Sequence, residues 1–297
     1  MSIESADFAM RNWSGPDCER ALRIGSEQHK QLFCRMLLET HNPYRPAVIE
    51  WPKLAPDALR RVTSLPIWDL AVQTEGRASV RVNTYASQVR DPLLRDALVM
   101  DAGEEARHKE VLAKLVRAYD IELAPEPEYA TPKDAEWAWL LTGYSECVDS
   151  FFAFGLFEVA RRSGFFPMEL VETFEPVMQE EARHILFFVN WAAWHRRSLP
   201  WWRRPWFVAK CTAVWAFLLS ERIGIARRMD GKGEKHDANF PMTAADQMGI
   251  AVEPAALLKL CLGENDRRMT GYDGRLLRPV IVPFLARLYC RLCALSW

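Results

Sequence analysis

The string Glu104-Glu105-Ala106-Arg107-His108 recurs letter for letter as Glu180-Glu181-Ala182-Arg183-His184. In each copy a carboxylate and an imidazole stand three residues apart, Glu105 with His108 and Glu181 with His184. Residues at that spacing share one face of an α-helix, so each copy offers an oxygen and a nitrogen to the same metal ion. A lone Glu-x-x-His on a helix is ordinarily a solvated pair. Two identical copies on separate helices are a different matter, because a bundle can turn both toward one centre. Two more helices, each adding one Glu, would complete an inward-facing di-metal site.

The rest of the chain has the periodicity such a bundle needs. Strand-like alternation is absent, apolar residues make up 49% and Gly occupies only 14 of 297 positions, so the fold class is all-α. Pro16 opens a helix over 16–40, which Asn42-Pro43 ends, and a short helical piece follows near 55–63. Pro66 starts a longer helix over about 66–90 that carries Glu75. Asp91-Pro92, a cap followed by Pro at the first helical position, starts the helix of the first motif. After a proline-punctuated link over 120–130, Thr131 with an acid three residues on begins a helix that runs through Glu146 to Gly164. Pro167 opens the segment of the second motif, ending near Pro200. Pro176 lies inside it and either restarts or kinks the helix. The organisation is a helical extension over 1–65, the bundle over 66–198 and a C-terminal helical extension over 199–297.

Hairpin geometry selects the two missing carboxylates. About a turn near residue 91, Glu75 and Glu105 lie roughly 24 and 21 Å along antiparallel helices at 1.5 Å per residue, nearly level. About a turn near 165, Glu146 and Glu181 lie roughly 28 and 24 Å along, whereas Glu158 is only about 10 Å out. The ligand set is then Glu75, Glu105, His108, Glu146, Glu181 and His184. Four carboxylates nearly neutralise two divalent cations and suit iron or manganese better than zinc. Glu104 and Glu180 are placed to accept the imidazole N–H groups and fix the tautomers, with Arg107 and Arg183 pairing with them.

This order of Glu, Glu-x-x-His, Glu, Glu-x-x-His resembles the ferritin-like di-iron carboxylate superfamily. It is similar above all to the oxygen-activating branch, which includes bacterial multicomponent monooxygenase hydroxylases and acyl-carrier-protein desaturases. The resemblance covers roughly 66–198 and implies a ferritin-like four-helix bundle with extra N- and C-terminal helices. It also implies two iron ions (a manganese–iron pair is the variant), which with O2 and an external electron donor oxidise an organic, apolar or amphipathic small molecule. Ser150, one turn after Glu146, matches the hydroxyl residue that lies near the oxygen site in the monooxygenases. Leu112 stands where the ribonucleotide reductase small subunit has its radical Tyr, and the single CxxC, Cys290 and Cys293, is one short of a rubrerythrin. A ferroxidase or peroxide-scavenging protein is the alternative function, and a metal-free helical interaction protein the third.

Ala153, Phe188 and Trp191 fall on the metal-facing stripe, where they would wall an apolar substrate pocket; simple core packing is the competing reading. His29, His41, His195 and His236 lack a partner pattern and read as surface or packing residues, as do Tyr85 and Tyr144. Seven scattered Cys fit reduced thiols, and the N-terminus has no leader-like segment. No run of about 18–20 uncharged apolar residues occurs, so the expected location is cytoplasmic, without a transmembrane helix. Residues 1–194 carry 21 Lys+Arg against 30 Asp+Glu, and residues 195–297 carry 17 against 9. The basic third, with Trp201, Trp202, Trp206 and an amphipathic C-terminus bearing Arg287 and Arg291, fits packing over the bundle or a homodimer interface. Peripheral contact with a membrane is the other reading, and no nucleic-acid partner is expected.

Overall fold

In the computed structural model the described residues are 3–17, 21–46, 49–65, 67–229 and 253–295. Ten α-helices form among them: α1 (Ile3–Arg11), α2 (Glu27–Glu39), α3 (Pro56–Thr63), α4 (Trp68–Ala86), α5 (Pro92–Ala118), α6 (Ala135–Ser163), α7 (Met168–Ser198), α8 (Arg204–Met229), α9 (Pro254–Met269) and α10 (Ile281–Leu295). Among the described residues there is no strand, only an isolated bridge between Trp13 and Tyr272. The all-α expectation holds.

The helix ends show which local signals prevail. Asp91 accepts from the Leu94 N–H with Pro92 behind it, so α5 starts where the Asp-Pro pair placed it. The start of α6 differs from expectation. Asp134, not Thr131, is the cap, because its own carboxylate takes the Trp137 N–H. Gly164 at φ 66° then ends α6 in the left-handed conformation that glycine adopts without penalty. The helix expected over 16–40 is shorter, beginning only at Glu27, where Ser26 caps the His29 N–H. Pro176 does not restart α7, which runs unbroken from 168 to 198. Burial of Leu170, Val171 and Val177 on either side carries the helix through the loss of one backbone donor. A capped helix start at Thr243–Asp246 and an exposed loop over 231–235, both expected from the sequence, lie outside the described residues, as does His236.

α4 with α5 and α6 with α7 form two antiparallel hairpins that pack into a helical bundle. Ser79 Oγ donates to the Ala102 carbonyl at 2.8 Å across the first hairpin, and Ser150 Oγ to Glu181 at 2.9 Å across the second. The flanking helices clad this bundle: α2 lies on α5 and α7, α8 on α6, α9 on α6 and α7, and α10 mainly on α9. The main core joins Phe33 and Leu37 of α2 to Trp139, Phe187, Phe188 and Trp191, all fully buried. Each such Phe contributes about 1.5–3 kcal/mol relative to exposure. Two satellite clusters close the structure. One lies around Phe151, Leu156 and Cys261 under α9 and α10, and the other around Val62, Trp68 and Tyr119 beneath α3. No described helix is long and apolar enough to cross a membrane.

Candidate metal centre

The bundle turns both motifs inward. Glu75 of α4, Glu105 and His108 of α5, and Glu181 of α7 bring one ligand atom each to within 4.8 Å of one another. Asp101, Glu105 and His184 do the same beside them, so Glu105 belongs to both groups. His184 Nδ1 lies 2.9 Å from Glu105 Oε1, and His108 Nδ1 lies 3.2 Å from Glu181 Oε1 and 3.6 Å from Glu75 Oε2. Neither Nδ1 has a hydrogen-bond partner despite these short distances. The atoms are close but not aligned as donor and acceptor. That is the geometry of lone pairs converging on a third point: ligands about 2.1 Å from one ion sit about 3 Å from each other.

The Nε2 atoms are occupied, and the pairing is crossed. His184 Nε2 meets Glu104 Oε2 at 2.8 Å, and His108 Nε2 meets Glu180 Oε2 at 2.8 Å. Each motif therefore orients the other motif's imidazole. A residue preceding Glu105 or Glu181 is rotated about 100° around its helix, away from the centre and toward the facing helix. There it finds the far nitrogen of the partner His. Arg183 Nη1 holds both Glu104 oxygens at 3.0 Å, and Arg107 holds Glu180. With Glu104 and Glu180 accepting, each Nε2 donates, which leaves Nδ1 as the nitrogen that would turn to a metal on giving up its own proton.

Electrostatics follow from this layout. Burial works against ionisation of Glu104, but Arg183, His184 and His41 outweigh it and hold the carboxyl well below its usual range. Burial and neighbouring Glu75 push Glu105 well above its usual range, and burial with Glu105 and Asp101 does the same to Glu146. Asp101 is pushed up to about 6, by burial first and by Glu104 and Glu181. For both imidazoles burial favours the neutral ring. The carboxylates prevail, Glu180 and Glu181 on His108, Asp101 and Glu104 on His184, and both rings are pushed well above the usual histidine range. The centre packs several carboxylates close together in a buried place, which favours proton or cation uptake.

Glu146 is half-buried, but both of its carboxyl oxygens are buried and lack hydrogen-bond partners; it interacts with Glu105, Asp101 and Glu181 and falls outside both tight groups. Ser150 is buried and anchors Glu181. Phe188 and Trp191 sit fully buried in the aromatic core with Trp139, Phe188 lying on Gly143, where any Cβ would collide with its ring; Ala153 is half-buried. A surface pocket of about 500 Å³ opens elsewhere, on the outer face of α5, lined by Leu38, His41, Val99, Met100, Glu104 and Arg107 among others.

Several participants escaped the sequence reading. Asp101 is one helical turn before Glu105, a spacing that carried the signal. His41 bonds Glu104 Oε1 at 2.7 Å, Tyr44 donates to Glu180 Oε2 at 3.2 Å, and Thr40 Oγ1 meets Arg183 Nε at 2.7 Å. All three come from the end of α2 and the coil after it, where no local pattern marks them.

Searches against protein-family models, curated proteins and solved structures find no match to this chain. Any functional reading therefore starts from the centre itself.

Proposed function

We propose that the chain is a ferritin-like non-haem di-iron oxidoreductase that uses O2 to oxidise an organic, apolar or amphipathic small molecule, with electrons from an external donor. The observation that carries this reading is the set of buried, unpartnered atoms in one place: His108 Nδ1, His184 Nδ1, Glu105 Oε1 and both oxygens of Asp101 and Glu146. Orphaned buried polar atoms are costly, about 1–3 kcal/mol each, and a cluster of them fits a pair of hard cations. The donors are oxygen and imidazole without a thiolate, which suits iron or manganese.

A di-iron pair bound by Glu75, Glu105, His108, Glu146, Glu181 and His184 would supply the oxidising power. The chain's own residues do the rest. Glu104 and Glu180 hold a proton on each Nε2 and fix both ring orientations, Ser150 steadies Glu181, and Arg107 and Arg183 pair with the outer carboxylates. The aromatic core around Phe188 and Trp191 keeps water from the α6–α7 side, and a substrate approaching there meets an apolar wall. The basic C-terminal third is proposed to meet an anionic membrane surface, a source of apolar substrate.

Elemental analysis of protein made in iron-replete medium is expected to give about two metals per chain. His108→Ala and His184→Ala should each lose the metal signal and keep their helicity; wild-type metal content in both would sink the ligand assignment. Anaerobic loading with Fe(II) followed by O2 should consume a limited amount of iron, whereas continuing turnover to mineral would mean a ferroxidase.

A further inference from the structure

We infer that Asp101 is itself a metal ligand, the fifth carboxylate of the centre, and that it serves the ion held by His184. The inference rests on the di-metal reading above and deepens it. Asp101 is 0% exposed, and neither of its oxygens has a hydrogen-bond partner, while the neighbouring Glu104 has an Arg and two His. A carboxyl in the core without a donor has no structural purpose that repays its desolvation. Its position does give one. It lies four residues before Glu105 on α5, on the same inward face, and its ligand atom stands with those of Glu105 and His184 within 4.8 Å.

The two halves of the centre then become comparable. One group is Glu75, Glu105, His108 and Glu181. The other, Asp101, Glu105 and His184, has three members in the tight cluster, and the buried Glu146 carboxyl interacts with all three from outside it. Glu105 lies between them as the shared carboxylate. Asp101 is what raises the second group to three donors; without it, His184 and Glu105 alone would hold that ion closely.

Charge counting gives the consequence. Glu75, Asp101, Glu105, Glu146 and Glu181 carry five negative charges when ionised, and the charges of Glu104 and Glu180 are answered by Arg183 and Arg107. Two divalent ions leave one negative charge over, and one divalent with one trivalent ion balances the site. A buried centre is most stable near neutrality, so the fifth carboxylate favours the more oxidised pair and lowers its reduction potential.

The test is anaerobic titration of metal-free Asp101→Asn with Fe(II), and separately with Mn(II), followed by calorimetry. Asn keeps the shape and removes the charge. The expected result is one ion bound much as in wild type and a second weakened at least tenfold, with unchanged helicity. A midpoint potential of the iron-loaded variant above that of wild type is expected as well, a shift that a packing role would not produce. The metal-free variant should melt at or above the wild-type temperature, since a like charge has left the site. Two ions bound with wild-type affinity, or an unshifted potential, would overturn the assignment. His108→Ala, run in parallel, separates the two levels: if it too binds two ions, or if wild type binds none, the di-metal reading itself has failed.

Discussion

Glu180 is wholly buried and belongs to neither ligand group itself; it acts through the proposed ligand His108, which it contacts directly. Its Oε2 takes the Nε2 proton while Arg107 and Tyr44 fill its remaining acceptor sites. Glu180→Gln keeps the size and loses the charge, so His108 no longer has an anion fixing which nitrogen is free. Metal held through His108 is expected to bind about 10–100-fold more weakly. Anaerobic Fe(II) titration checks this, and the ion on the His184 side should be retained. Unaltered binding of both ions would mean that the crossed pair is only structural. At this scale helical spacing made the repeated motif legible, although Asp101, one turn before Glu105, was passed over. The inward placement of Glu105, His108, Glu181 and His184 was legible from the i, i+3 interval, and the level pairing of Glu75 with Glu105 from the rise per residue. The crossing was not legible, because it depends on how α5 and α7 rotate against each other. Nor were Thr40, His41 and Tyr44, which tertiary packing alone brings to Glu104 and Glu180.

Helix by helix, charge placed at the ends does much of the joining. At the start of α6, Glu136 accepts from His195 of α7 at 3.0 Å and pairs with Lys210 of α8 at 2.8 Å, while Lys210 also holds Asp134, the α6 cap, at 3.0 Å. Three helices are thereby tied at one corner, with the His195 ring stacked on Trp191. The bond from His195 does most to hold the Glu136 carboxyl down at about 2, burial opposing and Lys210 adding. A carboxyl with a lowered folded-state pKa contributes stability that is present above its usual value near 4.5 and lost as pH falls toward 2. Glu136→Gln should therefore cost about 1–2 kcal/mol at pH 7 after allowance for its partial exposure. The gap to wild type should narrow between pH 4.5 and 3 in chemical denaturation. A gap of constant size over that range would show that the corner is held by packing rather than by charge. His195 reads as a surface or packing residue from sequence, and it does stack; its second role needs α8, whose register against α6 no short-range pattern encodes. The same limit explains α6 itself, where two acceptable caps lay three residues apart and only the structure decides for Asp134.

At the scale of the whole molecule, α10 leaves an apolar stripe exposed among the described residues. On α10, Ala286 is buried, and Cys290 faces the start of α9. Ile281, Phe284, Leu285, Leu288 and Leu292 follow the i, i+3, i+4, i+7, i+11 pattern of a second stripe, and all five face outward. Arg287 and Arg291 flank that stripe, and α10 contains no acidic residue. A second copy is a poor match for this face. A two-fold antiparallel pairing sets like flank against like flank, so the arginines of two copies would confront each other, with only Asp266 of α9, 3.4 Å from Arg287, to offset them. An anionic lipid surface accepts both features at once, burying the stripe at the acyl boundary and pairing the arginines with headgroups. Trp201, Trp202 and Trp206, exposed at the start of α8 beside Arg203, offer a similar chemistry. The protein is expected to co-sediment with vesicles of phosphatidylcholine containing phosphatidylglycerol. Vesicles of phosphatidylcholine alone should capture far less, and added salt should release the bound protein. Leu285→Asp with Leu288→Asp should cut the binding at least tenfold without changing metal content, because two buried Leu are worth about 3–6 kcal/mol and the new charges oppose insertion. If the same double substitution instead converts a dimer to a monomer, and wild type ignores both kinds of vesicle, the surface belongs to another copy of the chain.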